Sequence, residues 1–273
     1  MSQVKVLVLT GYGTNCERET AYICRIAGAD QVFIAHFADL VQETIRFTDF
    51  NFLIFPGGFL DGDHLGAAQA AASRFKHTTT RSGRSLVQEI MDLHARGGLI
   101  MGICNGFQLL VKLGLLPATG SQYLSREVSL GHNDSARFED RWVYLQPDQD
   151  SPCVFTQGLE NLYLPVRHGE GKLIVKDEPT LEEMEQGHHI ALKYTDPSGV
   201  PTQKYPNNPN GSVEAIAGLC DPTGRIFGLM PHPEAYNHRT NHPHWSRGEQ
   251  SEFGATLFVK GIDFLRQNGK TFQ

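Results

Sequence analysis

The chain has 273 residues, 40% of them hydrophobic and 20% charged. This is ordinary globular composition and excludes a disordered or fibrous chain. Its 24 Lys and Arg against 30 Asp and Glu give a formal charge of −6. The basic footprint that a phosphate backbone requires is missing, so nucleic acid is not an expected partner.

No apolar run approaches the roughly 18 residues that would cross a bilayer. The N-terminal MSQVKVLVLT reads as a first strand rather than a leader. Five cysteines, at 16, 24, 104, 153 and 220, show neither metal spacing nor the density of a disulfide framework. Reduced thiols and a cytoplasmic setting are the expectation.

The predicted elements alternate along the first half. Val4–Thr10 is a near-continuous apolar run, as suits a strand covered on both faces. Thr14 and Glu17 fit a capping box, opening a helix that should end near Gly28. Val32–His36 and Phe52–Phe55 read as the next strands, the latter stopped by Pro56-Gly57-Gly58. A polar, alanine-rich region follows. Leu86–Arg96 has helical spacing, Leu99–Ile103 is a fourth strand, and Gly106–Leu113 is another helix.

Alternating strands and helices predict an α/β fold with a mainly parallel sheet and right-handed crossovers. Ligands in such sheets sit at the carboxyl ends of strands. That directs attention to Gly11–Asn15, Pro56–Asp63 and Cys104–Gln108.

The second half is richer in strands, predicted at Arg126–Leu130, Arg141–Gln146, Leu162–Val166, Lys172–Val175 and His189–Tyr194. Ala215–Leu219 and Arg225–Leu229 flank an Asp-Pro-Thr-Gly turn and read as a hairpin. Tyr205–Gly211 is a turn-dense loop, and Ser251–Arg266 closes the chain as a helix with Phe253, Leu257, Phe258, Ile262 and Leu265 on its apolar face. Without a repeat or a linker, residues 1–273 are expected to form one domain.

Cys104 stands in Gly102-Ile103-Cys104-Asn105-Gly106, between a buried-type strand and a helix. This is the nucleophile elbow with Cys in place of Ser. A thiol at a helix start also gains thiolate character from the helix dipole. The bland alternative is a buried structural cysteine.

A nucleophile needs a base, and the base an orienter. Pro231-His232-Pro233-Glu234 offers both, since residues i and i+2 of an extended segment share a side and Pro233 should keep the segment extended. Pro56-Gly57-Gly58-Phe59 after the third strand offers a backbone N–H at Gly58, and Asn105 a second. Together they suit an oxyanion hole. Any one of these patterns alone is common punctuation; three at strand ends form a constellation.

With these segments in view the sequence resembles the class I (triad) glutamine amidotransferases, of flavodoxin-like fold. More narrowly, it resembles the glutaminase subunits and domains of phosphoribosylformylglycinamidine synthase. The likeness spans nearly the whole chain: GTNCERE at 13–19, PGGF at 56–59, GICNGFQLL at 102–110, HND at 132–134 with Arg137-Phe138, HGEGK at 168–172, YPNNPNGS at 205–212 and MPHPE at 230–234.

The resemblance implies a glutamine-hydrolysing half-reaction. Cys104 would be the nucleophile, His232 the base and Glu234 its orienter, with Gly58 and Asn105 as oxyanion donors and Gln108 positioning glutamine. Ammonia would pass to a synthetase subunit, in some systems with a small accessory subunit. ATP and Mg²⁺ would act on that partner, and this chain itself would carry no cofactor. The absence of a Walker A loop here fits that division. A chain that starts at Met1 directly with a strand suggests a separate subunit rather than a piece of a fused synthase.

Two stretches depart from the expected pattern. Leu60-Asp61-Gly62-Asp63 stands for Ser-Tyr-Gly-Asp, and Ala235-Tyr236 follows PHPE where Arg is usual. Both are expected near partner-facing loops.

Other clusters carry blander expectations. His168 and Glu170 read as a structural or partner-facing loop, and Cys16 as a packed helix-start cysteine. His238, His242 and His244 look superficially metal-like and read as a solvated loop. The rival functions are another cysteine hydrolase, which leaves HGEG and NPNGS unexplained, an amidotransferase serving a different acceptor, and a regulatory module without turnover. The intact Cys104, His232 and Glu234 argue against the last.

Overall fold

Short runs of buried aliphatic and aromatic residues are too brief for helices and become strands, with helices drawn from the longer periodic segments between them. The computed structural model describes residues 3–248 and 253–269. In chain order the first half contains β1 (Lys5–Thr10), α1 (Glu17–Ile26), β2 (Gln31–His36), α2 (Phe37–Val41), β3 (Phe52–Phe55), α3 (Gln69–His77), α4 (Leu86–Ala95), β4 (Leu99–Ile103) and α5 (Asn105–Leu113). The second half adds β5 (Val128–His132), β6 (Glu139–Pro147), β7 (Leu162–His168), β8 (Glu170–Val175), α6 (Glu178–Gln186), β9 (Leu192–Thr195), β10 (Ile216–Cys220), β11 (Ile226–Leu229) and α7 (Ala255–Asn268).

Nine strands form one sheet in the order β2-β1-β3-β4-β11-β10-β9-β6-β7, and β5 pairs with β8 in a separate ribbon. From β2 to β11 the pairs are parallel; from β11 to β7 they alternate antiparallel. β3 and β4 are buried at every position, as strands covered on both faces must be. Because direction alternates across the antiparallel half, β7 points the same way as β1, β3, β4 and β11. With β2 and β9, seven strands therefore deliver their carboxyl ends to one edge.

Most strand predictions hold to within a few residues. The short helices α2, α3 and α6 had no clear signal. α3 buries only Ala71, Ala72 and Phe75, so its apolar stripe is made largely of small residues. α6 is acidic and buries only Thr180 and Met184.

The capping box at Thr14 does not form. Cys16 occupies the N-cap of α1 without a side-chain cap, while Thr14 bridges to Gly58. α1 does end near Gly28 as expected. The closing helix starts at Ala255, so Phe253 precedes it and Ser251 lies outside the described residues. Among the described residues no helix is long and apolar enough to cross a membrane.

The tightest constraint in the fold lies where α5 meets β3. A Cβ on Gly106 would sit 1.9 Å from the Phe55 carbonyl oxygen. Gly106→Ala is expected to cost about 3 kcal/mol, the upper end of typical overpacking. Gly28→Ala, at φ +96 with open space around it, should cost only about 1 kcal/mol of backbone strain. Denaturant midpoints of the two variants check the order, and equal losses would place the constraint elsewhere.

Candidate active site

The turn between β4 and α5 forces Cys104 to φ 50 and ψ −104, a conformation that L-residues avoid. Its backbone N–H donates to the Leu229 carbonyl and its carbonyl accepts from Gln108 N, so both neighbours hold the strained residue in place. The side chain is 6% exposed, and its sulfur lies 3.7 Å from the Arg167 carbonyl oxygen. Such strain at a nucleophile aims the side chain out of the sheet edge and into the crevice.

His232 and Glu234 follow β11 and are both buried. His232 Nδ1 lies 2.5 Å from Glu234 Oε1. The segment is not extended as expected: Pro233–Ala235 is a 3₁₀ turn, with Pro233 at its first position. The i, i+2 pair meets by curling rather than by strand alternation. The His232 N–H donates to the Pro165 carbonyl of β7, which anchors the turn to the antiparallel half of the sheet.

Burial alone would push His232 down. The Glu234 carboxylate and then the Cys104 and Cys16 thiols outweigh it and hold the imidazole well above its ordinary value. A protonated ring here supplies the counter-charge that a neighbouring thiolate needs.

Gly58 and Asn105 flank the thiol from β3 and α5. Gly58 has φ +143, and a Cβ there would lie 2.8 Å from the Gly13 carbonyl oxygen, so the position requires glycine. Neither the Gly58 nor the Asn105 backbone N–H donates to an acceptor among the described residues. The Asn105 side chain accepts from Leu60 N and donates to Gln108 Oε1, while Gln108 Nε2 donates to the Glu170 carbonyl. Gln108 lines the pocket, but its amide is engaged by protein at both ends.

The pocket is lined by Asn15, Cys16, Asp63, Phe138, Arg167, His168 and Glu170 besides Gly58, Cys104, Gln108 and His232. The HGEG segment, expected as a structural or partner-facing loop, lines the site: the end of β7 carries Arg167 and His168 there because β7 runs parallel to β11. His168 is 3% exposed. Asn133 Nδ2 is spent on two carbonyls, so Asn133 Oδ1 accepts the Nδ1 proton of His168 at 3.0 Å. Burial, and then the charge of His232, push His168 down to about 3. It is a neutral ring whose Nε2 lacks a partner among the described residues.

Asp63 is pushed above the usual carboxylate range by burial and then by the nearby Glu170. The NPNGS loop is the buttress of this wall. Asn210 and Ser212 are buried and bond the Gly171 carbonyl, and Ser212 also accepts from Leu173 N.

Two further expectations change. Cys16 is not merely packed, since its sulfur lies with His232 and Glu234 in one cluster. His242 is 3% exposed and packs on Trp142, Tyr163 and Tyr236, so it belongs to an aromatic cluster rather than to a solvated loop. Leu60 and Tyr236, in the two stretches that depart from the family pattern, are buried. Strand order was the missing signal for Arg167, His168 and Glu170, and for Phe138 just before β6; the apolar runs carry none.

Replacing Glu234 by Gln removes the first influence that raises His232. An NMR titration of His232 in Glu234→Gln should show its pKa below that of the parent chain. An unchanged value would mean that Glu234 does not set the charge of the ring.

Known proteins place these residues in a family. Residues 3–265 match the CobB/CobQ-like glutamine amidotransferase domain. Phosphoribosylformylglycinamidine synthase subunit PurQ of Dehalococcoides mccartyi is 42% identical over 98% of this chain and 100% of its own length. The subunit of the same name from Methanococcus maripaludis is 41% identical over 88% of this chain and 85% of its own. A chain in the structure of PurLQS from Thermotoga maritima superposes with a TM-score of 0.70 at 27% identity, covering 97% of this chain and 100% of that one. This chain belongs to the CobB/CobQ-like glutamine amidotransferase family, alongside the PurQ subunits of phosphoribosylformylglycinamidine synthase.

Proposed function

We propose that this chain is the glutaminase component of phosphoribosylformylglycinamidine synthase, that residues 1–273 act as one amidotransferase domain, and that it works in the cytoplasm. The observation that carries the reading is the meeting, at one sheet edge, of a strained thiol, a carboxylate-held imidazole and two undirected backbone N–H groups. In the proposed reaction Cys104 sulfur attacks the carboxamide carbon of glutamine. The N–H groups of Gly58 and Asn105 receive the oxyanion, where preorganised donors are worth most. His232 gives its proton to the departing nitrogen as the C–N bond breaks, leaving a γ-glutamyl thioester and ammonia. Water then attacks the thioester, His232 takes its proton, and glutamate leaves. Glu234 keeps the ring oriented and steadies its charge.

Asp63 and Glu170 suit the other end of the substrate. Two mutually repelling carboxylates in one pocket gain from a cation between them, and the α-ammonium of glutamine is such a cation. Gln108 serves substrate placement by holding the Glu170 backbone. Ammonia would go to an ATP- and Mg²⁺-using synthetase subunit, which converts formylglycinamide ribonucleotide to formylglycinamidine ribonucleotide. Five unpaired cysteines suit a reducing cytoplasm.

The full chain, with and without a synthetase subunit, should take up one glutamine-like diazo-ketone label on Cys104. Excess glutamine should block the label, and Cys104→Ala should abolish it. Glutamine hydrolysis in Cys104→Ala should fall by about 10⁴-fold, the scale of losing a nucleophile. Labelling elsewhere, or none with the synthetase present, would overturn the reading. Asp63→Asn should raise the KM for glutamine by about tenfold or more with little change in kcat, as for a lost charged hydrogen bond. A fall in kcat alone would count against an ammonium site.

A further inference from the structure

Cys16 lines the pocket yet has no part in the proposed reaction, and neither has Gly57. The backbone joins the two. The Gly57 carbonyl accepts from both Asn15 N and Cys16 N, and Thr14 bridges to Gly58 beside it. The loop between β1 and α1 is thus laced onto the loop that carries Gly58. The Cys16 S–H is spent on Asn15 Oδ1 at 3.1 Å. Burial raises the pKa of this thiol above its ordinary value, so it stays protonated.

The His232 ring lies against this junction. A Cβ on Gly57 would sit 2.7 Å from His232 Cε1, 3.4 Å from Nδ1 and 3.3 Å from Cys16 Sγ. Cys16 Sγ is within 4.8 Å of a ring nitrogen. Gly57 is not at positive φ, so its backbone alone would accept alanine. What demands glycine is the imidazole and the sulfur beside it. Glu234 holds Nδ1 by one bond, and one bond fixes a point rather than a tilt. Cε1 lies between the two ring nitrogens, so whatever touches it also places Nε2. That nitrogen is buried and unpartnered among the described residues, and with Nδ1 engaged it is the one left to move protons.

We propose that Gly57 and Cys16 form the seat of the His232 ring, the bare backbone of one and the sulfur of the other fixing its tilt and with it the position of Nε2. Both are positioning residues that act through His232. Ordinary carbon–carbon contact begins at about 3.5 Å, so an alanine methyl at 57 must drive the ring off by roughly 0.8 Å. A misplacement of about 1 Å can cost a reaction about 10²-fold. The effect on turnover rests on the glutaminase reading; the placement of the ring does not.

The test compares Gly57→Ala, Cys16→Ala and the double variant with the parent, as full chains with a synthetase subunit. Cys16 caps α1 without its side chain, so Cys16→Ala keeps the helix start. In Gly57→Ala, kcat for glutamine hydrolysis should fall about 10²-fold with KM kept within about threefold. Cys16→Ala should lower kcat at least about threefold. Methyl and sulfur meet the same ring, so the double variant should lose less than the product of the single losses, by at least about threefold. Crystal structures should show the ring turned away from Gly57 in Gly57→Ala and shifted in Cys16→Ala. A ring left in place in Gly57→Ala would locate the damage at Gly58 and overturn the seat. Strictly multiplicative losses, or full kcat in Cys16→Ala, would overturn it too. If Gly57→Ala does not fold, the kcat and ring position of Cys16→Ala decide alone. A parent chain without turnover would overturn the glutaminase reading, while the ring positions would still test the seat.

Discussion

The close passage of α5 over β3 at Gly106 is the constraint on which the site depends. With no side chain at 106, the helix begins against the Phe55 carbonyl, and the turn before it has one residue in which to reverse direction. That residue is Cys104, and its unfavourable backbone conformation follows from the packing. The strain is held by neighbours on either side, as strained functional residues require. It costs stability locally, and the fully buried β3 and β4 on which it rests offset it.

The sheet supplies the second organising fact. The nucleophile and the Gly58 loop come from the parallel half, through β4 and β3. The imidazole follows β11, the last parallel strand. The polar wall comes from β7, at the far end of an antiparallel run, and reaches the same edge because alternation returns its direction. A bond from His232 N to Pro165 joins the catalytic turn to that wall. The NPNGS loop then fixes the wall from behind through Asn210 and Ser212. HGEG and NPNGS, far apart in sequence, are one hydrogen-bonded unit.

Much of this was legible beforehand, for physical reasons. Unbroken apolar runs such as Phe52–Phe55 and Leu99–Ile103 have few alternatives to a buried strand, and the elbow glycines announce a close approach. The alanine-built face of α3 and the acidic α6 offered little periodic contrast. Strand order was not legible, because apolar runs do not say which partner they find; the sequence therefore marks His168, Glu170 and Phe138 as motif residues without placing them in the pocket wall. The proline in PHPE predicts an extended segment, yet the same fixed φ also starts a 3₁₀ turn, and local sequence does not decide between them. His242 misled in the opposite way, since polar residues in a histidine-rich stretch suggested solvent where an aromatic cluster awaited.

The bonds from Leu60 N–H to Asn105, from Asn105 to Gln108 and from Gln108 to the Glu170 carbonyl run in a single direction. Each side-chain amide accepts at one end and donates at the other, so the dipoles line up head to tail and polarise one another. The two terminal backbone groups, a fixed donor and a fixed acceptor, decide the orientation of both amides between them. An ionised acid of the same shape would satisfy the accepting end and then present a lone pair to a lone pair at the other. The row can be written only in carboxamides, and its polarity cannot be reversed one residue at a time.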